Sequence, residues 1–347
     1  ASRDGTVYVA ANDGMLDAFD GATGNEKWAY IPSMVMPRLY KLADADYANR
    51  HEYYVDGAPV VGDIFVPGTP GAWKSILVGG LRGGGRGYYA LDITDPANPV
   101  ALWEFTADDL GYTFGNPIIT KRADGKWIVV FASGYNNVSP GDGNGHLFVL
   151  DANTGEQLKK ISTFTAPSTA AGSTGTPSGL AKINAWIDSE VDNTAKRFYG
   201  GDVLGNVWRF DTDGLFAPNN AALRLAYLMD TNKPQPITTQ PALAEITYSG
   251  SKYPVIYVST GKYLGTSDLS NTDQQTVYAL KDPLTNTELG DVHASTDIVE
   301  QTLTAATVNG QTVNKVSSHA VDWSTKNGWR VDFLSSGERV NVDMQVL

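Results

Sequence analysis

Apolar and polar residues alternate along this chain in short runs that break at glycine-rich turns. Between Val7 and Gly24 the run VYVAA leads into Asn12-Asp13-Gly14 and returns as MLDAFD. Asn and Gly tolerate the positive φ that a tight hairpin turn demands, so the segment predicts two antiparallel strands. Asp20 to Gly24 predicts a second turn, and Trp28 opens a third strand. The pattern returns at Ser75 to Phe105, with Asp92 and Trp103 in the places of Asp20 and Trp28. It returns again at Trp127 to Ile161, Arg197 to Asp211 and Tyr253 to Asp282. A small twisted sheet cannot bury both faces alone, so repeats of this size predict an all-β fold, a modified β-propeller whose blades pack on one another.

Other stretches fit between the repeats. Tyr53 to Val66 and Gly115 to Ile119 are expected to be strands that begin the blade following them. Thr163 to Gly179, rich in Thr, Ser, Ala and Gly, is expected to be a surface excursion with no core to bury. Pro283 to Val316 is polar and offers at most one short helix-compatible patch, whereas Gly328 to Val342 reads as a strand pair. The expected organisation is a single propeller over 1–347, a fragment of a longer protein, with the last blade incomplete in this chain.

The composition narrows the function. The 347 residues carry a formal net charge of −12 and no cysteine. Binding a phosphate backbone needs clustered Lys and Arg, so nucleic acid is not an expected partner. Without cysteine there is neither a disulfide framework nor a thiolate metal site. No apolar run approaches the ~18 residues of a membrane helix. His51, His146, His293 and His319 are scattered without the HxH or HExxH spacing of zinc sites, and no G-x-S-x-G elbow occurs. The glycine run Gly79 to Gly87 precedes a strand and lacks the following GK[ST], so it reads as a hairpin loop and not as a phosphate cradle. No catalytic set emerges, and the chain is expected not to be an enzyme. Asp20, Asp92, Asp151 and Asp211 end return strands, where a carboxylate can accept backbone N–H bonds of the next turn. Trp28, Trp103 and Trp208 read as packing between blades.

The sharpest chemical candidate is the loop Ile187 to Lys196. A compact calcium loop takes side-chain oxygens from its positions 1, 3, 5 and 9 and a carbonyl from position 7. Those positions hold Asp188, Glu190, Asp192, Lys196 and Thr194 respectively. Lys196 has the wrong charge for the last carboxylate. Two readings stay open: calcium bound in spite of the lysine, or a metal-free loop in which Lys196 bridges to Asp188 or Asp192.

VYVAANDGMLDAFDGATG (Val7 to Gly24), GRGYYALDITDPANP (Gly85 to Pro99), YGGDVLGNVWRFD (Tyr199 to Asp211), STGKYLGTSD (Ser259 to Asp268) and GERVNVD (Gly337 to Asp343) resemble the C-terminal domain of the PilY/PilC family of type IV pilus proteins. The resemblance implies a modified propeller of seven blades, similar to quinoprotein dehydrogenases. It implies an extracellular place at the pilus tip or outer membrane surface, and roles in pilus assembly against retraction, adhesion, twitching motility and virulence. Implied partners are minor pilins and the tip complex, host or abiotic surface ligands, and the protein's own N-terminal region. It also implies that calcium in the Asp188, Glu190, Asp192, Thr194 and Lys196 loop tunes pilus extension; Lys196 departs from that pattern. Two alternatives stand beside this reading. DAFDGATGNEKWAY resembles the repeat of quinone-cofactor dehydrogenases, and a propeller face could serve as a docking scaffold for other proteins.

Overall fold

The computed structural model describes residues 1–164, 171–189, 191–213 and 222–346. It divides into two compact units. One comprises Ala1–Ser162, Gly172–Ala181 and Ile187–Lys196, and the other Thr163–Ala171, Lys182–Trp186 and Arg197–Leu347.

The first unit carries three four-stranded antiparallel meanders. They are Ser2–Arg3, Thr6–Ala10, Leu16–Asp20 and Glu26–Tyr30; then Val60–Val66, Ala72–Gly80, Tyr88–Asp92 and Val100–Phe105; then Ile118–Lys121, Trp127–Ala132, His146–Asp151 and Gln157–Ser162. The expected strands within Tyr53 to Val66 and Gly115 to Ile119 do open the second and third sheets. Middle strands such as WIVVFA and HLFVLD are almost continuously apolar and buried on both faces, while the outer strand QLKKIS is mostly half-buried or exposed. A continuous apolar run is what a strand covered on both sides requires. The core of this unit includes Tyr88 stacked on Phe131 at 3.9 Å, with Phe105 and Phe148 against Phe131.

The recurrent aspartates act as the alternation predicts. Asp20 Oδ1 accepts the amides of Ala22 and Thr23, Asp92 Oδ1 that of Thr94, Asp151 Oδ1 those of Asn153 and Thr154, and Asp211 Oδ1 that of Asp213. Each carboxylate thus closes the turn after its strand. Trp28 Nε1 donates to the Pro96 carbonyl and Trp103 Nε1 to that of Ala152, so each indole tethers its sheet to the turn of the next. A Cβ at Gly155, whose φ is +72°, would lie 2.5 Å from the Trp103 ring, so glycine is required there by both conformation and space.

In the second unit the strands Ala195–Gly201, Asn206–Asp211 and Ala222–Tyr227 continue the sheet begun by Ile183–Ile187. A five-stranded sheet follows, built from Ala242–Tyr248, Ser251–Ser259, Thr276–Lys281, Gly328–Asp332 and Ile298–Gln301, the last pairing parallel to its neighbour. Its core gathers Tyr199, Leu225, Ile256, Tyr278 and Leu280. Arg209 and Asp282 form a fully buried ion pair of 2.7 Å, completed by the Tyr199 hydroxyl on Asp282 at 2.7 Å and by Arg209 Nη2 on the Thr285 carbonyl.

Among the described residues five blade-sized sheets occur. Pro283 to Val316 holds no helix; it forms the strand Ile298–Gln301 and an exposed hairpin, Leu303–Val308 with Gln311–Val316. Its turn is Asn309-Gly310, both at positive φ (52° and 79°), and its arms are rich in β-branched Thr and Val. Gly328 to Val342 supplies one strand, Gly328–Asp332, not a pair. Trp208 is fully buried, and its Nε1 donates to Asp202 Oδ2 of its own hairpin at 2.8 Å. Thr163 to Gly179 lies partly outside the described residues.

Candidate functional site

The acidic loop leaves the strand Ile183–Ile187 and re-enters the sheet at Ala195. Its tip is a tight turn in which the Ser189 carbonyl accepts the amides of both Asp192 and Asn193, each at 3.1 Å, with Asn193 at φ +50°. The turn leaves Val191 almost wholly in solvent. Beyond it the chain docks on the strand Ile118–Lys121. The Asn193 carbonyl accepts Lys121 N at 3.1 Å and Thr120 Oγ1 at 2.8 Å, and Thr194 is buried in a parallel bridge to Lys121.

Of the five loop positions singled out in the sequence, Glu190 lies outside the described residues. Lys196 Nζ sits 3.2 Å from Asp188 Oδ2, and Asp192 Oδ1 is held at 2.5 Å by Lys121 Nζ. The Lys121 hydrogen bond, with a further one from Thr194 and the Lys196 charge, keeps the Asp192 carboxyl below the usual carboxylate range. Two ammonium groups therefore hold the two described carboxylates. A divalent cation would have to displace both or tolerate them as neighbours, so this donor set does not fit a calcium cage. Lys121 was not legible as a participant, because it lies 71 residues before Asp192.

The hairpin after the loop is fixed by Asp202. Its carboxylate accepts the amides of Leu204 and Asn206, the Asn206 side chain and the Trp208 indole. Complete burial nevertheless pushes the carboxyl up to about 6, against the pull of those donors.

A second cluster escaped the sequence reading. Asp109, Asp142 and His146 bring one ligand atom each to within 4.8 Å of one another. The spacing Asp142-x-Asn144-x-His146 was a signal for it, but Asp109 arrives from a different connection.

Meandering sheets closed by the same aspartate turn define an all-β module of the propeller class. The chain belongs to the family described as the PilY1 beta-propeller domain, which matches residues 1–321. It is 35% identical over 95% of its length to the type IV pilus biogenesis factor PilY1 of Pseudomonas aeruginosa (strain PAO1), of which it covers 31%. The crystal structure of the P. aeruginosa PilY1 C-terminal domain superposes with a TM-score of 0.75 at 32% identity, covering 98% of this chain and 74% of that one. A more distant relative is the quinoprotein glucose dehydrogenase of Escherichia coli (strain K12), 25% identical over 73% of this chain and 33% of its own length. The chain thus spans about a third of the PilY1 relative. Among the described residues no helix is long and apolar enough to cross a membrane.

Proposed function

We propose that this propeller is the module through which a type IV pilus biogenesis factor acts at the pilus tip, outside the cell. It promotes pilus assembly against retraction and supports attachment to surfaces and twitching motility, without catalysing a reaction. Minor pilins, surface ligands and the protein's own N-terminal region are its partners. The observation that carries this reading is the PilY1 match, which runs through the whole repeat series and not through one motif.

The acidic loop has a specific part in the proposal. In this chain it is shaped by Lys196 on Asp188 and Lys121 on Asp192, and its projecting tip is a contact surface whose form does not depend on calcium. The reading is tested by deleting the propeller from the full-length protein and recovering sheared surface pilin. Pilin should fall in cells able to retract pili and return when retraction is disabled. Equal pilin with and without the propeller would overturn the reading. A quinone-dependent dehydrogenase is favoured by the E. coli relative and by the DAFDGATGNEKWAY repeat; a visible cofactor absorbance in the purified chain would support it.

A further inference from the structure

We propose that Asp109, Asp142 and His146 form a binding site for a divalent first-row cation such as zinc or manganese. The site lies within the first unit, apart from the acidic loop. His146 opens the strand His146–Asp151 and is only 2% exposed, and its Nε2 faces both carboxylates, 2.9 Å from Asp142 Oδ1 and 3.9 Å from Asp109 Oδ2. Ligands bound at ~2.1 Å stand ~3.0 Å apart in cis-octahedral geometry and ~3.4 Å in a tetrahedron, so atoms within 4.8 Å of one another need shifts on the order of 1 Å to share one ion. One imidazole with two carboxylates suits zinc or manganese better than calcium, which prefers oxygen alone.

The surrounding loop is built to hold this arrangement. Asp142 N donates to Asp109 Oδ1 and Asn144 N to Asp142 Oδ1, orienting both carboxylates. Ser133 fixes the histidine backbone from both sides, its Oγ accepting His146 N and its amide donating to the His146 carbonyl. Gly141 and Gly143 adopt φ of +121° and +78°, and a Cβ on either would lie within 2.3 Å of a backbone carbonyl oxygen. The loop cannot take its course with any other residue there.

A second observation points to a ligand. Asn137 is fully buried, and its Nδ2 donates to the carbonyls of Asp109 and Asn144, which places the carboxamide between the segments that carry the two aspartates. Its Oδ1 is buried without a partner, as are Asn144 Oδ1 and His146 Nδ1. His146 Nδ1 points away from the carboxylates that Nε2 faces, but the two orphaned side-chain oxygens of Asn137 and Asn144 call for a water or ion beside the cluster. Lys160 Nζ rests 2.5 Å from Asp109 Oδ2 and is the group an incoming cation displaces. It is 38% exposed, free to swing into solvent, and it acts as the resident competitor for the site.

The test is calorimetric titration of zinc chloride and manganese chloride into the full chain after chelator treatment. Wild type should bind one equivalent. His146→Gln and the surface-side Asp142→Asn should each weaken binding about tenfold or more, and Lys160→Met should tighten it about tenfold. Circular dichroism identifies any variant that fails to fold; Asp142→Asn is isosteric and partly exposed, so it decides if His146→Gln unfolds. Absence of a stoichiometric site in both wild type and Lys160→Met, or undiminished binding by folded Asp142→Asn, would overturn the proposal.

Discussion

Replacing Lys196 by aspartate should turn the acidic loop into a calcium site. A calcium ion lies ~2.4 Å from its carboxylate oxygens. With Lys196 Nζ 3.2 Å from Asp188 Oδ2, an ion bound to Asp188 would stand about 4 Å from the ammonium. The repulsion between charges of +2 and +1 at ~4 Å is about 2 kcal/mol in a water-like dielectric and about 8 kcal/mol at an intermediate one. The side chains of Lys196 and Asp188 are 35% and 42% exposed, so the screened value applies. Lys196→Asp removes that repulsion and adds an attraction of similar size, a swing of about 4 kcal/mol or ~10³-fold in dissociation constant. Calorimetry of calcium into wild type and variant reads it directly. The variant should bind in the micromolar range with wild type about three decades weaker. Micromolar binding by wild type would refute the reasoning, because the lysine would then have to leave the loop at little cost.

Other outcomes follow from the second unit. Asp282→Ala strands the Arg209 guanidinium in a fully buried position and takes away the acceptor of the Tyr199 hydroxyl. Stability in urea at neutral pH should fall by ~3–5 kcal/mol, and a loss below about 1 kcal/mol would show the pair to be dispensable. Asp332 gives a pH signature. Burial raises its carboxyl, but hydrogen bonds from His293 and Thr276 and the Arg330 charge prevail and hold it at about 2, below its ordinary 3.8. The folded state therefore binds the proton less readily than the unfolded chain. The resulting ~2 kcal/mol is present above pH ~4 and is lost as pH falls towards 2. Acid unfolding followed by circular dichroism should show a shallower loss in Asp332→Asn over that window.

What was legible in the sequence depended on how local its cause was. The aspartate turns need only a carboxylate two or three residues before an amide, so Asp20, Asp92 and Asp151 could be assigned from spacing alone. Trp28 and Trp103 repeat at equivalent strand positions, and that repetition announced their packing role. The Trp208 indole differs in its hydrogen bond, because it sits in a return strand where Asp202 is six residues away. The exposed hairpin at Leu303 to Val316 was missed because its polarity masked the strand period, although Asn309-Gly310 was a signal for its turn. At the acidic loop the ligand positions could be read, while the Lys121 contact could not, since nothing local couples residues 121 and 192. The Asp109, Asp142 and His146 cluster failed for the same reason: it joins two connections that only the sheet order brings together.

Under the proposed role, the propeller supports pilus assembly with a loop held by Lys196 and Lys121 and not by calcium. The most direct test is the yield of sheared surface pilin from cells expressing the full-length protein, with calcium in excess and with calcium chelated. Wild type should yield equal pilin in the two conditions, while Lys196→Asp should become calcium-sensitive. A wild-type yield that changes with calcium while Lys196→Asp behaves identically would contradict a calcium-independent loop.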